Sequence, residues 1–395
     1  KLSCIGAYGA LDKRFSFLGW IAAFVPLIIT PYYCVIGGWV MKYLWTFISG
    51  GALEAADNGG FFSRFISFDA GSLPATMLNF SGPTPWFVLF VLITGLVVIF
   101  GVQKGIENAS RLMMPVLAVL IVVIALYSLT IPGALAGLKY YLMPDFSQFS
   151  ASTVLGACGQ MFYSMSLAMG ITITYGSYMP KENLLEHSVT QIEIFDTLFA
   201  FFAGLMIIPS VIAFNGGDPS QVNSGPSLMF ISLPKVFAAM GRAGTAVGIL
   251  FFVTAIFATL SSCISVLESI TANCMEIFHT SRRKTVLVLS VIYLAASAVI
   301  ALGYSVFYVE VLLPNGSVGQ LLDIMDYVSN SVMMPFIALL SAILIGWIKT
   351  PDYVIGEMER NGETFGRKAI YRVMIRYIAP LMMLVLFLQS TGIFA

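Results

Sequence analysis

The chain has 395 residues, of which 58% are hydrophobic and 10% charged, and its formal net charge at pH 7 is zero. Soluble domains carry about 25% charged residues, so the composition excludes a soluble domain and indicates a polytopic helical membrane protein. No basic tract or Cys/His spacing of the sequence supports binding of nucleic acid or zinc. The five cysteines form no CxxC pair, and we interpret them as small packing residues.

Nine apolar segments are long enough to cross a bilayer, which takes about 20 helical residues. When sides alternate along the chain, 15 of the Lys and Arg residues fall on one side and 5 on the other. Positive charge favours the cytoplasm, so the side that holds the N-terminal residues is predicted to be cytoplasmic. We name the segments the first to ninth spans, predicted at 17–48, 86–103, 112–133, 153–178, 190–214, 243–272, 285–304, 319–347 and 371–393.

Three of the segments that connect the spans differ from one another in composition. The extracellular loop 49–85 is rich in Gly, Ser, Asn and Pro, whereas the loop 215–242 contains the apolar run SLMFISLPKVF. A loop with such a run is expected to fold back onto the protein as a short helical lid. The cytoplasmic link 349–370 is the most charged segment and is predicted to be a solvated helix or loop.

Gly105 and Pro115 bracket the sequence GIENASRLMMP at the cytoplasmic start of the third span. Glycine and proline both weaken a helix, so this segment is a candidate for unwinding that would open a path to the cytoplasm. An ordinary boundary between a loop and a helix explains the pattern equally well.

The fourth span contains an unusual stretch, VLGACGQMFYSMSLAMGITITYGSY, from Val154 to Tyr178. A span that contacts only lipid would carry Leu, Ile and Val at its centre, but this one carries Gln160, Ser164, Ser166 and Gly170. Polar residues and glycines at membrane depth predict backbone that leaves the helix beside protein or a water-filled cavity. We interpret the stretch as a binding site; the alternative is that each serine hydroxyl bonds to its own i−4 carbonyl.

Two later spans carry candidate cation ligands. Asp196 lies inside the fifth span, where a carboxylate costs roughly 2.5–3.5 kcal/mol, so we expect it to face a cavity or an ion. The alternative is a helix-end charge, since Glu193 lies one turn earlier. In the sixth span, the hydroxyls of ATLSSC (258–263) offer the neutral oxygens that alkali cations prefer, or else they mark close packing of small residues.

Asp323 and Asp326 share one helical face near the extracellular end of the eighth span. They either gate or attract cations, or are solvated helix-end charges. Both histidines, His187 and His279, fall in or beside cytoplasmic loops, so no Ser/His/Asp or Cys/His constellation can be assembled and no enzymatic chemistry is expected.

These stretches occur in the order found in one family. The chain resembles a bacterial neurotransmitter:sodium symporter, the family of LeuT, over almost its whole length. The resemblance implies an all-α, LeuT-type inverted-repeat fold in a single domain over 1–395, whose nine spans correspond to family helices three to eleven. Residues 17–133 would be the remainder of the first repeat, 153–347 the second repeat and 371–393 an additional helix; the family's first two helices are expected upstream of this sequence. The matching stretches are PYYCVIGGW, GIENASRLMMP, GQMFYSMSLAMG, DTLFAFFAGLMIIP, FATLSSCISV and LLDIMDY.

The resemblance also implies a substrate site and its gates. Tyr33 resembles the tyrosine that contacts the substrate carboxylate, and Tyr163 matches the aromatic lid over the substrate. Asp326 resembles an outer-gate aspartate, and the spacing from Gly105 to Pro115 fits the family's helix-unwinding motif. Met169 replaces a common aromatic residue and suits a large apolar or aromatic substrate side chain. The implied substrate-binding residues are Ile29, Tyr33, Tyr163, Ser166, Met169, Cys263 and Val266.

Two sodium sites follow from the same resemblance. Ser164 and Asp196 match ligands of a first site, and the Ala258 carbonyl with the Ser261 and Ser262 hydroxyls match those of a second. Asp196 stands where chloride-dependent relatives have a neutral amide, so transport is expected not to require chloride.

The expected function is therefore sodium-coupled symport of a neutral, apolar or aromatic amino acid by alternating access. The expected location is the bacterial inner (plasma) membrane, with membrane lipid and the amino acid as partners and no nucleic acid. Two alternatives stay open: a proton-coupled transporter of the same fold, and a membrane sensor that binds substrate without transporting it.

Overall fold

The computed structural model describes residues 2–57, 59–223, 225–314, 316–362 and 364–393. Helices occupy all nine predicted spans, and seven of them form continuous helices long enough to cross a membrane. The second span is a shorter apolar helix, and the fourth consists of two half-helices. In chain order the spans are Ser16–Ile48, Thr84–Ile99, Val102–Ser128, Ala151–Ser164 with Ile171–Tyr178, Leu185–Phe214, Gly241–Phe278, Arg282–Leu302, Leu321–Ile348 and Lys368–Ser390.

Short elements connect the spans. Strands β1 (Val311–Leu312) and β2 (Val318–Gly319) form an antiparallel hairpin in which Val311 faces Gly319. The helix of the eighth span begins at Leu321, two residues after the approximate start predicted at 319, because the chain is still in β2 there. The short helices are Cys4–Leu11, Ala52–Ala55, Gly60–Ile66, Leu73–Leu78, Ala134–Leu142, Gly225–Ala239 and Pro351–Met358.

The helical segment Gly225–Ala239 matches the predicted lid. Phe230, Leu233 and Phe237 on its apolar side are all buried. The Tyr43 hydroxyl of the first span donates a hydrogen bond to the Phe230 carbonyl at 2.7 Å, and the two rings lie 5.1 Å apart. The lid is thus packed against the first span, as its apolar run predicted.

The cytoplasmic link is charged and ion-paired. Arg372 bonds to Asp352 at 2.6 Å, and Lys368 lies 2.6 Å from Glu359. The hydrogen bonds from these cations lower the pKa values of both carboxyl groups below their usual range. The link is therefore fastened to the start of the ninth span.

The first and second spans approach closely at two glycines of the first span. A Cβ atom at Gly38 would lie 2.5 Å from the Phe87 backbone nitrogen, and one at Gly37 would lie 2.6 Å from the Phe90 ring. Both phenylalanines are buried, at 1% and 0% exposure. Glycine is required at position 38 because the clashing atom belongs to the backbone and cannot rotate away.

Gly38→Ala is expected to lower the free energy of unfolding by about 1–3 kcal/mol, the usual cost of overpacking a core. Thermal unfolding in detergent measures the effect. Gly176→Ala is the matched control, because a Cβ atom there meets nothing within 4 Å and alanine favours a helix. Equal melting temperatures for the two variants would contradict the close contact.

Candidate functional site

The fourth span is interrupted where its polar residues lie. The outer half-helix, Ala151–Ser164, ends before the inner half-helix, Ile171–Tyr178, begins. Between them the φ angles are 52° at Ser166, 61° at Ala168 and 71° at Gly170. Left-handed backbone is uncommon for residues other than glycine, and it persists only where the surroundings hold it. The prediction that the backbone leaves the helix in this stretch is confirmed.

Ser164, at the end of the outer half-helix, meets the acidic residue of the fifth span. Its hydroxyl donates a hydrogen bond to Asp196 Oδ1 at 2.6 Å. Glu193, one turn earlier, instead forms an ion pair with Arg367 at 3.1 Å, and both its side chain and that of the arginine are about half exposed. The two acids of this helix therefore have different surroundings, and Asp196 is the one that lies beside the interrupted span.

The predicted oxygen ligands of the sixth span lie on one helical turn. The Ser261 hydroxyl donates to the Ala258 carbonyl at 3.0 Å. Ala258 and Ser262 are exposed, and Ser261 is half-buried. A hydroxyl that donates one bond keeps lone pairs for a cation, so these atoms retain the donor capacity of an alkali-ion site.

The predicted substrate-binding residues separate into two groups. Ile29, Met169 and Val266 are buried in the same core, at 2%, 3% and 6% exposure. Cys263 is completely buried in another cluster, where its Sγ atom lies 3.6 Å from that of Cys34. Tyr33 packs against both clusters and is in polar contact with the Ser262 hydroxyl. Ser166 lies in the interrupted segment, between the half-helices.

An outer cavity of about 750 Å³ lies beside the last turn of the outer half-helix, next to the interruption. Tyr163, Asp323 and Asp326 line it, and Tyr163 is 37% exposed. Asp326 Oδ1 accepts hydrogen bonds from the Tyr32 hydroxyl at 2.9 Å and from Asn330 Nδ2 at 2.5 Å. Among the ion pairs of the described residues, none involves Asp326.

The sequence did not predict that Tyr32 and Asn330 bond to Asp326. Asn330 lies one helical turn after Asp326, a spacing at which side chains meet, so this partner had a detectable signal. Tyr32 precedes Tyr33 in PYYCVIGGW, and no sequence signal marks it as a partner of Asp326. Only the packing of the first span against the eighth brings the Tyr32 hydroxyl to the Asp326 carboxylate.

Gly105 and Pro115 lie apart from the outer cavity, and neither lines it. Gly105 is buried in the π-helical turn Val102–Glu107, where a Cβ atom would lie 2.0 Å from the Val97 carbonyl oxygen. Pro115 is exposed within the following helix. A π turn is rare and often marks a functional site. Unwinding of this segment stays a prediction.

A buried acid of the sixth span was also missed. Glu268 of the sixth span is completely buried and accepts hydrogen bonds from the Tyr178 hydroxyl at 2.5 Å and from both terminal nitrogens of Arg282, at 2.5 and 2.9 Å. An acidic residue inside an apolar span is the same signal that singled out Asp196, so the sequence contained the means to find it.

Comparisons with known proteins agree on one family. Residues 61–394 match the sodium:neurotransmitter symporter family. The uncharacterized sodium-dependent transporter YhdH of Bacillus subtilis is 32% identical over 379 residues, which cover 95% of this chain and 79% of that protein. The sodium-dependent serotonin transporter of Drosophila melanogaster is 24% identical over 431 residues, covering 99% of this chain and 66% of that protein.

The fold is also that of a solved transporter. The crystal structure of MhsT in complex with L-phenylalanine superposes with a TM-score of 0.83 at 33% identity, covering 98% of this chain and 85% of that chain. The LeuT-type helical fold predicted from the sequence is thus confirmed, and the protein is a multi-pass transporter of the cell membrane that couples transport to sodium. From its sequence match and its fold together, the chain belongs to the sodium:neurotransmitter symporter family.

Proposed function

We propose that the protein uses a sodium gradient to take up a neutral amino acid with an apolar or aromatic side chain. The interrupted fourth span carries this proposal. The inner half-helix presents its N-terminal N–H groups at Gly170, where the helix dipole favours a carboxylate. The outer half-helix ends at Ser164, where the carbonyl ends of the helix favour a cation. One interruption thus suits both an amino-acid carboxylate and an ion.

The wall residues support an apolar substrate side chain. Ile29, Met169 and Val266 are apolar and share one core, and the flexible thioether of Met169 adapts to differently shaped groups. MhsT, whose fold is shared, binds L-phenylalanine in its crystal structure. Tyr33 is assigned to the substrate carboxylate and Tyr163 to the outer lid, with Ser166 and Cys263 completing the proposed site.

Two sodium ions are proposed, one at each group of oxygens. Ser164 and Asp196 form the first site, and their 2.6 Å contact supports this pairing. Ala258, Ser261 and Ser262 form the second, on one turn of the sixth span. A fixed carboxylate at Asp196 supplies the negative charge that a chloride ion would otherwise contribute, so transport does not require chloride.

Transport requires that sodium and substrate bind the outward-facing and inward-facing states with different affinities. Sodium at both sites orders the interrupted segment and favours the outward-facing state. Substrate then allows Tyr163 and the carboxylate of Asp326 to close the outer cavity. Unwinding between Gly105 and Pro115 admits water to the second sodium site and releases the ions inward.

Uptake by the full-length protein in proteoliposomes tests the proposal. With an inward sodium gradient we expect uptake of labelled phenylalanine or leucine, little uptake with potassium in place of sodium, and unchanged uptake when gluconate replaces chloride. An imposed proton gradient without sodium should drive no uptake. Uptake driven by protons alone, or binding without exchange of internal substrate, would contradict sodium-coupled symport.

A further inference from the structure

The inner half-helix is joined to the sixth span by a row of side-chain hydrogen bonds. Thr174 Oγ1 lies 3.4 Å from Ser269 Oγ, and the Tyr175 hydroxyl donates to Ser265 Oγ at 3.1 Å. One turn further on, Tyr178 donates to the carboxylate of Glu268, as described above. The inner half-helix is therefore fastened to the sixth span by three successive polar contacts.

The middle contact leads directly to the proposed second sodium site. Ser265 Oγ donates to the Ser261 carbonyl at 3.1 Å, and Ser261 Oγ donates to the Ala258 carbonyl at 3.0 Å. A serine hydroxyl has a single proton, so Ser265 accepts from Tyr175 while it donates to Ser261. The bonds from Tyr175 to Ser265 and from Ser265 to the Ser261 carbonyl share the Ser265 hydroxyl, so these two bonds polarise each other.

This arrangement affects the geometry of the sixth span. A serine that bonds to its own i−4 carbonyl perturbs the helix locally, and the carbonyl to which Ser265 bonds belongs to Ser261. The Tyr175 hydroxyl holds Ser265 in this arrangement from the inner half-helix. Movement of the inner half-helix would withdraw the tyrosine and change the position of the oxygens at Ser261 and Ala258.

We propose that Ser265 is a positioning residue that couples the inner half-helix to sodium binding at the second site. The proposal rests on the function proposed above, because it takes Ala258 and Ser261 as sodium ligands. Linkage makes the effect reciprocal: sodium at the second site holds the inner half-helix in place, and displacement of that half-helix weakens sodium binding.

The test compares Ser265→Ala, Tyr175→Phe and the double variant in the full-length protein. Each single variant is expected to raise the sodium concentration for half-maximal uptake by about 2- to 10-fold, the range for one net hydrogen bond. The KM for the amino acid at saturating sodium should change by less than about twofold, because no substrate contact is removed. The double variant should match the singles, since one linkage is broken in all three.

Three further variants separate the outcomes. Ser265→Thr keeps a hydroxyl and should restore the sodium dependence. Thr254→Ala is the matched control, because Thr254 bonds back to the Leu250 carbonyl of the same helix at 2.8 Å; its sodium dependence should be unchanged. Ser261→Ala should raise the sodium requirement by itself.

If Ser261→Ala leaves the sodium requirement unchanged, the assignment of the second sodium site is wrong and the coupling proposal falls with it. If Ser261→Ala raises the requirement but Ser265→Ala and Tyr175→Phe do not, only the coupling proposal is overturned. Additive effects of the two single variants would overturn it as well, because they would show two independent losses.

Discussion

Asp196→Ala is expected to abolish sodium-dependent uptake. The Asp196 carboxylate accepts a 2.6 Å hydrogen bond from Ser164 at the interruption of the fourth span, where we propose the first sodium ion binds. Interactions of a charged group contribute about 1.5–3 kcal/mol each, so loss of the carboxylate should weaken sodium binding by at least about 10- to 100-fold. Sodium-dependent binding of a labelled amino acid, measured on the purified full-length protein, separates this effect from slower transport.

Asp196→Asn distinguishes charge from shape. The amide keeps an oxygen near Ser164 but removes the negative charge, so residual uptake should come to depend on chloride. Glu193→Gln is the matched control, because Glu193 lies one turn away on the same helix but pairs with Arg367 at 3.1 Å. The sodium dependence of uptake by this variant should be unchanged. Normal sodium dependence in Asp196→Ala would contradict the first sodium site.

Glu268→Ala is expected to lower the free energy of unfolding by about 3–5 kcal/mol, the usual cost of removing one partner from a buried ion pair. Glu268 is completely buried, and the side chain of Arg282 is 22% exposed. The alanine variant removes the carboxylate that pairs with Arg282 and accepts a hydrogen bond from the Tyr178 hydroxyl. Thermal unfolding in detergent, followed by tryptophan fluorescence, measures the loss.

Coupling between the two charges is tested with Glu268→Ala/Arg282→Ala, whose loss should be smaller than the sum of the two single losses. Glu357→Ala is the surface control. Glu357 pairs with Arg360 at 3.3 Å, both side chains are 58% exposed, and such pairs contribute little. Additive losses in the double variant, or equal losses for Glu268→Ala and Glu357→Ala, would contradict a buried, coupled pair.

The positions of the spans could be predicted from the sequence because the bilayer imposes a local rule. Each crossing must be long and apolar, and its backbone must satisfy its own hydrogen bonds, so length and composition were sufficient to predict nine segments that are helical among the described residues. The break in the fourth span had the same kind of signal, since polar residues such as Ser164 and Ser166 are costly against lipid.

The partners of the polar groups within the spans were decided by the tertiary structure. Asp196 and Glu268 carry the same sequence signal, yet one meets a serine of the fourth span and the other an arginine of the seventh. Likewise, only helix packing brings Tyr175 to Ser265, although 90 residues separate them in the chain. Hydrophobicity is a property of each segment by itself, whereas a hydrogen bond between helices depends on their relative rotation and depth. The sequence alone therefore determined the fold class and the spans, and the packing of those spans decided which side chains form the site.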